Sequence, residues 1–216
     1  MERLTNATPS NKTPGAAWVT RFLQPLLAQH FSNNGKISCL QLAAADETEA
    51  EQLGALGHRC ELIEATSTLQ LPVPDAAYDF AFTGRFPLLA DESKNRLILA
   101  RELYRVLRPG GALLLVFGNL LCPIDLTRNG PLLHLPGARQ CLRRSEVLRI
   151  FVSQAGFESL KPLNVCGHYG WNQLPRSLRW AGKLMDAYWR WLALPSRKWF
   201  YFGPLNPTLV LWLNKP

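Results

Sequence analysis

Residues 71–83 read LPVPDAAYDFAFT, and residues 102–117 read ELYRVLRPGGALLLVF. The apolar ends of these stretches predict strands over 78–83 and 112–117, with a helix between them. Proline at position 109 cannot continue that helix, and the glycines after it accept the positive φ of a tight turn. Both strands are apolar enough to lie inside a parallel sheet that helices cover on both faces.

The rest of the chain continues this alternation of strands and helices. Further strands are predicted over 37–43, 59–64 and 208–213, and further helices over 16–31, 47–56 and 145–155. Asp91 is expected to cap the helix that precedes Pro109. The alternation predicts an α/β fold with a doubly wound, mostly parallel sheet. Residues 1–15 are expected to form a flexible N-terminal tail, and residues 16–216 a single domain.

The composition indicates a globular protein. Hydrophobic residues make up 47% of the 216 positions and charged residues 19%, which excludes a disordered chain. No stretch reaches the roughly 18 uninterrupted apolar residues of a membrane span, and the polar N-terminus lacks an apolar signal core. The five cysteines are scattered, without a Cys-x-x-Cys pair. We therefore expect free thiols, a cytoplasmic location and no metal site.

The positive charge is concentrated near the C-terminus. The net charge is +8, and residues 139–216 hold twelve Lys and Arg residues against three acidic ones. Five of the seven tryptophans fall within segment 171–203. Polar and apolar side chains follow opposite helical phases over 174–194, which predicts an amphipathic helix in this basic segment.

Three interpretations of the basic segment 171–203 are open. Its apolar face can pack on the domain as a helical cap over a ligand. Its basic residues and tryptophans, over 174–199, also suit an anionic membrane surface or a protein partner. Binding to a membrane surface would make the protein a peripheral membrane protein. Nucleic acid is the least favoured partner, because no recognised binding motif accompanies the charge.

Four pieces of the chain share the order and spacing of motifs in a known family. They are LPVPDAAYDFAF (71–82), RELYRVLRPGGALLLV (101–116), SQAGFESL (153–160) and LVLWLNKP (209–216). They resemble the class I S-adenosylmethionine-dependent methyltransferases, in particular the type 11, ubiquinone-biosynthesis-like group. The resemblance implies a Rossmann-like methyltransferase fold with a C-terminal helical cap. It also implies an enzyme that uses S-adenosylmethionine to methylate a small or lipid-like acceptor.

The loop that would hold the cofactor departs from the family pattern. The family has a strand and a glycine-rich turn here, whereas the chain reads CLQLAAADE at 39–47. The resemblance assigns cofactor-binding positions to Gln41, Ala43, Ala45 and Glu47, the last three in place of glycines. Alanine disfavours the positive φ of such a turn by about 1 kcal/mol or more. Glu47 either favours the start of the next helix through its charge or replaces a lost ligand contact.

Two further cofactor-binding positions lie at strand ends, where ligands bind in open α/β sheets. Glu64 stands where the family's acid bonds the ribose hydroxyls, a role that suits a carboxylate acceptor; a solvated strand-end acid is the alternative. Thr83 ends the next predicted strand. Because Glu64 lies close to Leu71 in the chain, either the adenine side of the pocket is shortened, or 59–64 is the family's third strand and its second is missing.

Catalytic residues are harder to assign. His134 and His168 lie after the 112–117 strand, where the family builds its substrate wall, and each is either a general base or a structural histidine. The substituted loop also leaves a hypothesis from another class, a non-catalytic methyltransferase-like pseudoenzyme that binds a protein partner or a membrane surface. Cofactor binding separates the two hypotheses.

Overall fold

The structure is a computed structural model, and it describes residues 19–31, 35–43, 49–64, 70–83, 93–119, 141–142, 144–163, 180, 184 and 208–216. In this part of the chain the sheet has seven strands: β1 (Ser38–Ala43), β2 (Arg59–Glu64), β3 (Tyr78–Thr83), β4 (Leu107–Asn119), β5 (Cys141–Leu142), β6 (Ser159–Leu163) and β7 (Thr208–Asn214). The described α-helices are α1 (Gln24–His30), α2 (Glu49–Ala55), α3 (Ser93–Val106) and α4 (Arg144–Val147). A π-helix, Val19–Leu23, precedes α1, and a second, Leu148–Gln154, follows α4.

The strands lie in the order β2–β1–β3–β4–β7–β6, and β5 pairs with β4 off this path. β2, β1, β3 and β4 are parallel neighbours, whereas β7 runs antiparallel to β4 and to β6. The chain extends the sheet on one side of β1 and then on the other, as in a doubly wound fold. The predicted α/β fold with a mostly parallel sheet is therefore confirmed.

Each face of the sheet carries its own apolar core, because side chains alternate between the faces along a strand. On β1, Leu40 and Leu42 belong to one core and Cys39 belongs to the other. The first core includes Leu103 of α3, and the second includes Leu27 of α1. Burial of one such leucine side chain stabilises the fold by about 2 kcal/mol. Packing on the sheet thus holds helices on both faces.

β4 is longer than the strand predicted over 112–117, because the RPGG turn lies inside it. Tyr78 of β3 pairs with Leu107, and Phe80 pairs with Ala112. Two steps along β3 therefore correspond to five along β4, and the turn bulges out of the ladder between these pairs.

The two glycines of this turn have different physical roles. Gly110 has a φ of 76°, in the left-handed region that favours glycine. A Cβ on Gly111 would lie 2.8 Å from the carbonyl oxygen of Arg108 and 3.0 Å from that of Asp79. A side chain at position 111 would therefore collide with the backbone. The N–H of Gly110 donates to the carbonyl oxygen of Lys215 at 3.1 Å, which ties the turn to the C-terminus.

The helix predicted over 145–155 is present, and most of it is π-helical. α4 spans four residues, and the chain continues as a π-helix. At its end the N–H of Ala155 bonds to the carbonyl oxygen of Ile150, five residues earlier, which is the π-helical pattern. Ile150 and Phe151 are nevertheless buried in the core, as the apolar periodicity predicted.

β2 hydrogen-bonds directly to β1, from Ser38 opposite Arg59 to Ala43 opposite Glu64. The strand over 59–64 therefore occupies the place next to β1. This pairing favours the first of the two alternatives left open by the short connection to Leu71, a shortened adenine side of the pocket.

Several predictions fall outside the described residues, among them the tail 1–15, Asp91 and most of segment 171–203. Within that segment Trp180 and Leu184 are described as helical, with exposed fractions of 62% and 61%. The domain division and the helical cap stay predictions. In the described part of the chain, no helix is long and apolar enough to cross a membrane.

Candidate functional site

The candidate site lies at the carboxyl ends of β1, β2 and β3. The strand order reverses at β1, which has β2 on one side and β3 on the other. In open α/β sheets, ligands bind in the crevice that such a reversal opens outside the carboxyl ends of the strands. The register brings the last residues of the three strands together, because Ala43 pairs with Glu64 and Leu42 pairs with Thr83.

Gln41 is fully buried on β1 and connects this strand to α2. Its Oε1 accepts a hydrogen bond of 2.6 Å from the backbone N–H of Ala50, and its Nε2 donates to Glu49 Oε2 at 2.9 Å. The first N–H groups of a helix lack partners within the helix, and this carboxamide satisfies one of them. Both polar atoms of the side chain are thus bonded within the protein. Cofactor contact by Gln41 stays a prediction.

Glu49 is a residue of this site that the sequence analysis did not single out. It lies in the first turn of α2, where the helix dipole favours negative charge. The signal available in the sequence was an acid near a helix start. That signal does not reveal the hydrogen bond to Gln41, because the partner lies on a strand.

Thr83 ends β3 with a fully buried side chain. Its Oγ1 has no hydrogen-bond partner among the residues that the structure describes. Leaving a buried polar group unbonded costs about 1–3 kcal/mol, so each such group calls for an explanation. Thr83 lies beside Leu42 of β1, at the reversal of the strand order. This position makes a polar ligand atom a suitable partner for the hydroxyl.

The structure brings four of the six predicted cofactor-binding residues to one edge of the sheet: Gln41, Ala43, Glu64 and Thr83. Ala45 and Glu47 lie outside the described residues, and so do the predicted catalytic candidates His134 and His168. The structure describes Ala43 and Glu64 by their backbone alone. Contacts of these side chains with a cofactor therefore stay predictions.

β4 and β5 extend this edge of the sheet. Leu115 of β4 pairs with Thr83, and β4 continues as far as Asn119. Gly118 pairs in parallel with Cys141 of β5. The sheet thus reaches past the end of β3 on the side away from β1. The sequence analysis did not predict β5, because two residues carry no periodic signal.

Shifted pKa values in the described part of the chain occur at the opposite edge, near the amino ends of the strands. Burial, together with the hydrogen bond from its hydroxyl to Glu61, raises the pKa of Tyr78. Hydrogen bonds from Arg105 hold the pKa of the Glu102 carboxyl below its usual range. These groups stabilise the fold at the edge away from the crevice.

The chain matches a known family over the part that builds this edge. The family described as "Methyltransferase domain", of type 11, matches residues 15–115, which contain β1, β2, β3 and most of β4. This match, over just under half of the chain, supports the predicted resemblance to the class I S-adenosylmethionine-dependent methyltransferases. Among curated proteins, none matches this chain by sequence.

Solved structures share the fold at low sequence identity. The phosphoethanolamine N-methyltransferase 2 of Haemonchus contortus, in complex with phosphomonomethylethanolamine and S-adenosylhomocysteine, has a TM-score of 0.53 and 13% identity, over 90% of this chain and 53% of its own. Its complex with S-adenosyl-L-methionine gives a TM-score of 0.52, with the same identity and coverage. Our chain thus spans about half the length of that enzyme.

A second enzyme has more similar length. The 1,6-didemethyltoxoflavin-N1-methyltransferase of Burkholderia thailandensis, with bound 1,6-didemethyltoxoflavin and S-adenosylhomocysteine, has a TM-score of 0.51 and 12% identity, over 91% of this chain and 78% of its own. At such identities the likeness shows the fold alone. It confirms the predicted Rossmann-like methyltransferase architecture.

Proposed function

We propose that this methyltransferase-family chain transfers a methyl group from S-adenosylmethionine to a small-molecule acceptor at the crevice between β1 and β3. The observation that carries the proposal is the Thr83 hydroxyl, which is buried within the matched region and lacks a bonding partner in the described ranges. A polar ligand that completes this hydrogen bond accounts for the hydroxyl in a way that the described protein atoms do not.

Two residues at strand ends are proposed to hold the cofactor, together with the segment that follows β1. Glu64 ends β2 beside Ala43, and a carboxylate at this position can accept both ribose hydroxyls. The Thr83 hydroxyl can donate or accept one further hydrogen bond. The 44–48 segment, which joins β1 to α2, takes the place of the glycine-rich loop, with Ala45 and Glu47 as its proposed contact positions.

Methyl transfer requires the chain mainly to position the cofactor and the acceptor. The bound cofactor supplies a methyl group on a sulfonium centre. The crevice would hold the acceptor beside that methyl group and keep water away from it. An acceptor whose reacting atom must lose a proton also needs a general base. His134 and His168 are the proposed candidates for that role.

A small-molecule acceptor is supported by the ligands of the two enzymes of similar fold, phosphomonomethylethanolamine and 1,6-didemethyltoxoflavin. A lipid-like acceptor is the finer proposal, and it rests on the basic, tryptophan-rich segment 171–203. Flotation with anionic liposomes tests it by comparing wild type with the Trp189→Ala/Trp191→Ala variant. Equal recovery of both proteins in the soluble fraction removes the membrane-surface part of the proposal.

A transfer assay tests the activity. The purified chain is incubated with methyl-labelled S-adenosylmethionine and, in separate reactions, a low-molecular-mass cell extract or a lipid extract. We expect label in a small product together with an equal amount of S-adenosylhomocysteine. If label enters the products no faster than with heat-denatured chain, in either extract, the proposed activity is wrong.

A pair of glutamate variants locates the activity in the crevice. Glu64→Gln keeps the shape of the side chain and removes the charge, and we expect at least about a 10-fold lower rate at limiting cofactor, since a charged hydrogen bond contributes about 1.5–3 kcal/mol. Glu51→Gln changes an exposed residue of α2 in the same way and is expected to leave the rate unchanged. Equal rates for the two variants would exclude Glu64 as a cofactor-binding residue.

A further inference from the structure

Two cysteines face each other across the parallel pair of β1 and β2. Cys39 and Cys60 are direct partners in the register of these strands, and paired residues of neighbouring strands project from the same face. Cys39 is part of the apolar core on that face, and Cys60 packs against it. Neighbouring strands lie about 4.8 Å apart, within the Cα separation of about 4.4–6.8 Å that a disulfide bond spans. Both thiols are free in the structure.

The two thiols differ in access to solvent. Cys39 is fully buried, and its Sγ lies 3.9 Å from the carbonyl oxygen of Ile37. Cys60 is half-buried and lines a surface cleft of about 480 Å³. A small oxidant in this cleft therefore meets Cys60 first, and Cys39 lies behind it as the second thiol.

The surroundings favour ionisation of the accessible thiol. The hydrogen bond from the Cys39 thiol lowers the pKa of Cys60, and the same bond, together with burial, raises the pKa of Cys39. Arg59 and Arg108 line the cleft beside Cys60, along with the acidic Glu61. A thiolate is the form of cysteine that attacks an oxidant.

We propose that Cys39 and Cys60 form a reversible oxidation site, which closes to a disulfide bond when a hydroperoxide enters the cleft. The Cys60 thiolate attacks the terminal peroxide oxygen, the O–O bond breaks, and an alcohol (water, for hydrogen peroxide) leaves with the sulfenic acid formed on Cys60. The Cys39 sulfur then attacks that sulfur and displaces the oxygen as water. Two thiols lose two protons and two electrons, and one hydroperoxide is reduced.

This site is separate from the proposed methyl-transfer site. Cys60 lies near the amino end of β2, whereas Glu64 lies at the carboxyl end of the same strand. A bond between adjacent strands constrains both backbones, and strained or accessible disulfides are the ones that cellular thiols reduce readily. The bond is therefore expected to form and break in response to redox conditions.

Peptide mapping of the full chain tests the proposal. The reduced protein is treated with hydrogen peroxide, the remaining thiols are alkylated, and the digested peptides are analysed by mass spectrometry. We expect a peptide pair joined through Cys39 and Cys60, lighter by two hydrogen atoms, which dithiothreitol separates. The Cys60→Ser variant should lose this pair, and the matched Cys166→Ser variant should keep it. Linkage of Cys60 to another cysteine, or oxidation of Cys60 with Cys39 left as a thiol, overturns the proposal.

A second measurement compares the two thiols in the wild-type protein. In the untreated wild type, alkylation by iodoacetamide should be at least about 10-fold faster at Cys60 than at Cys39, because the rate follows thiolate content and exposure. In Cys39→Ala, where that protein folds, peroxide should convert Cys60 to sulfinic acid instead of a disulfide. Equal alkylation rates at the two positions would remove the asymmetry on which the proposal rests.

Discussion

The side chain of Gln41 on β1 accepts a hydrogen bond of 2.6 Å from the backbone N–H of Ala50 in α2. These residues flank the 44–48 segment, which stands in the place of the family's glycine-rich loop. One buried carboxamide therefore fixes the distance between the two ends of that segment. Although alanine and glutamate stand in place of the family's glycines, the strand before this segment and the helix after it are joined by a hydrogen bond.

Replacing this carboxamide should destabilise the protein. Gln41→Leu removes the acceptor for Ala50 and leaves a buried N–H unbonded, which costs about 2 kcal/mol. The free energy of unfolding in urea measures the loss. Gln70→Leu changes an exposed glutamine and should alter it by less than about 0.5 kcal/mol. Equal values for the two variants would show that the Gln41 bond contributes nothing to stability.

Arg105 connects the segment before β3 to α3. Its guanidinium donates to the carbonyl oxygens of Leu71 and Val73 at 3.0 and 2.9 Å, and to Glu102 Oε2 at 2.8 Å. Arg105→Met leaves these acceptors unsatisfied and should lower the free energy of unfolding by about 2 kcal/mol. Arg101→Met, at an exposed position of the same helix, is the control and should stay near wild type.

The ion pair between Arg105 and Glu102 makes the free energy of unfolding depend on pH. Because hydrogen bonds from Arg105 lower the pKa of Glu102 in the folded state, the stabilisation is complete above the ordinary glutamate pKa of about 4.3. It is lost as the pH falls through the lower folded value. Urea titrations between neutral and acid pH should therefore show a smaller acid-induced loss in Arg105→Met than in wild type. A parallel pH profile in the two proteins would contradict this role of the pair.

The RPGG turn predicts an order of severity for two alanine substitutions. Gly111→Ala places a Cβ 2.8 Å from a backbone oxygen and should cost about 3 kcal/mol. Gly110→Ala meets no atom within 4 Å among the described residues but keeps a φ of 76°, so it should cost about 1 kcal/mol. Thermal unfolding of the two variants checks this order. If Gly110→Ala lowers the unfolding temperature more than Gly111→Ala, the close backbone contacts of Gly111 do not exist in the bulge of β4.

Thr83→Val separates a ligand role from a structural one. If the hydroxyl bonds a ligand, valine weakens S-adenosylhomocysteine binding about 5-fold, a change of about 1 kcal/mol. The ligand-free variant should be at least as stable as wild type, because valine removes a buried hydroxyl that has no hydrogen-bond partner among the described residues. Thr83→Ser keeps the hydroxyl and should bind like wild type. If the ligand-free Thr83→Val variant is less stable than wild type and binds S-adenosylhomocysteine equally well, the hydroxyl bonds to another protein group and not to a ligand.

The sequence predicted the buried elements well, because apolar runs between turn residues are a local signal. β2 and β3 have the predicted bounds, and β7 extends one residue beyond its predicted range. β6 was missed, because SLKPL contains a lysine and Pro162. A strand at the sheet edge tolerates both, and its sequence therefore lacks the usual pattern.

Contacts at the candidate site depended on tertiary structure. The sequence analysis put Gln41 inside the first strand and Thr83 at the end of the third. The hydrogen bond between Gln41 and Glu49 and the burial of the Thr83 hydroxyl follow from how β1, β3 and α2 pack. The wider turns after α4 were also hidden, because π-helical and α-helical segments bury similar apolar residues. Local patterns thus identified the edge of the sheet, and packing decided what each side chain there does.

Calorimetric titration of the purified chain with S-adenosylhomocysteine tests most directly whether the rebuilt crevice still binds the family's cofactor. We predict saturable binding of one ligand per chain, with a matching rise in the unfolding temperature. Heat no greater than that of dilution at millimolar ligand, from protein that unfolds cooperatively, would contradict the proposed methyl-transfer site.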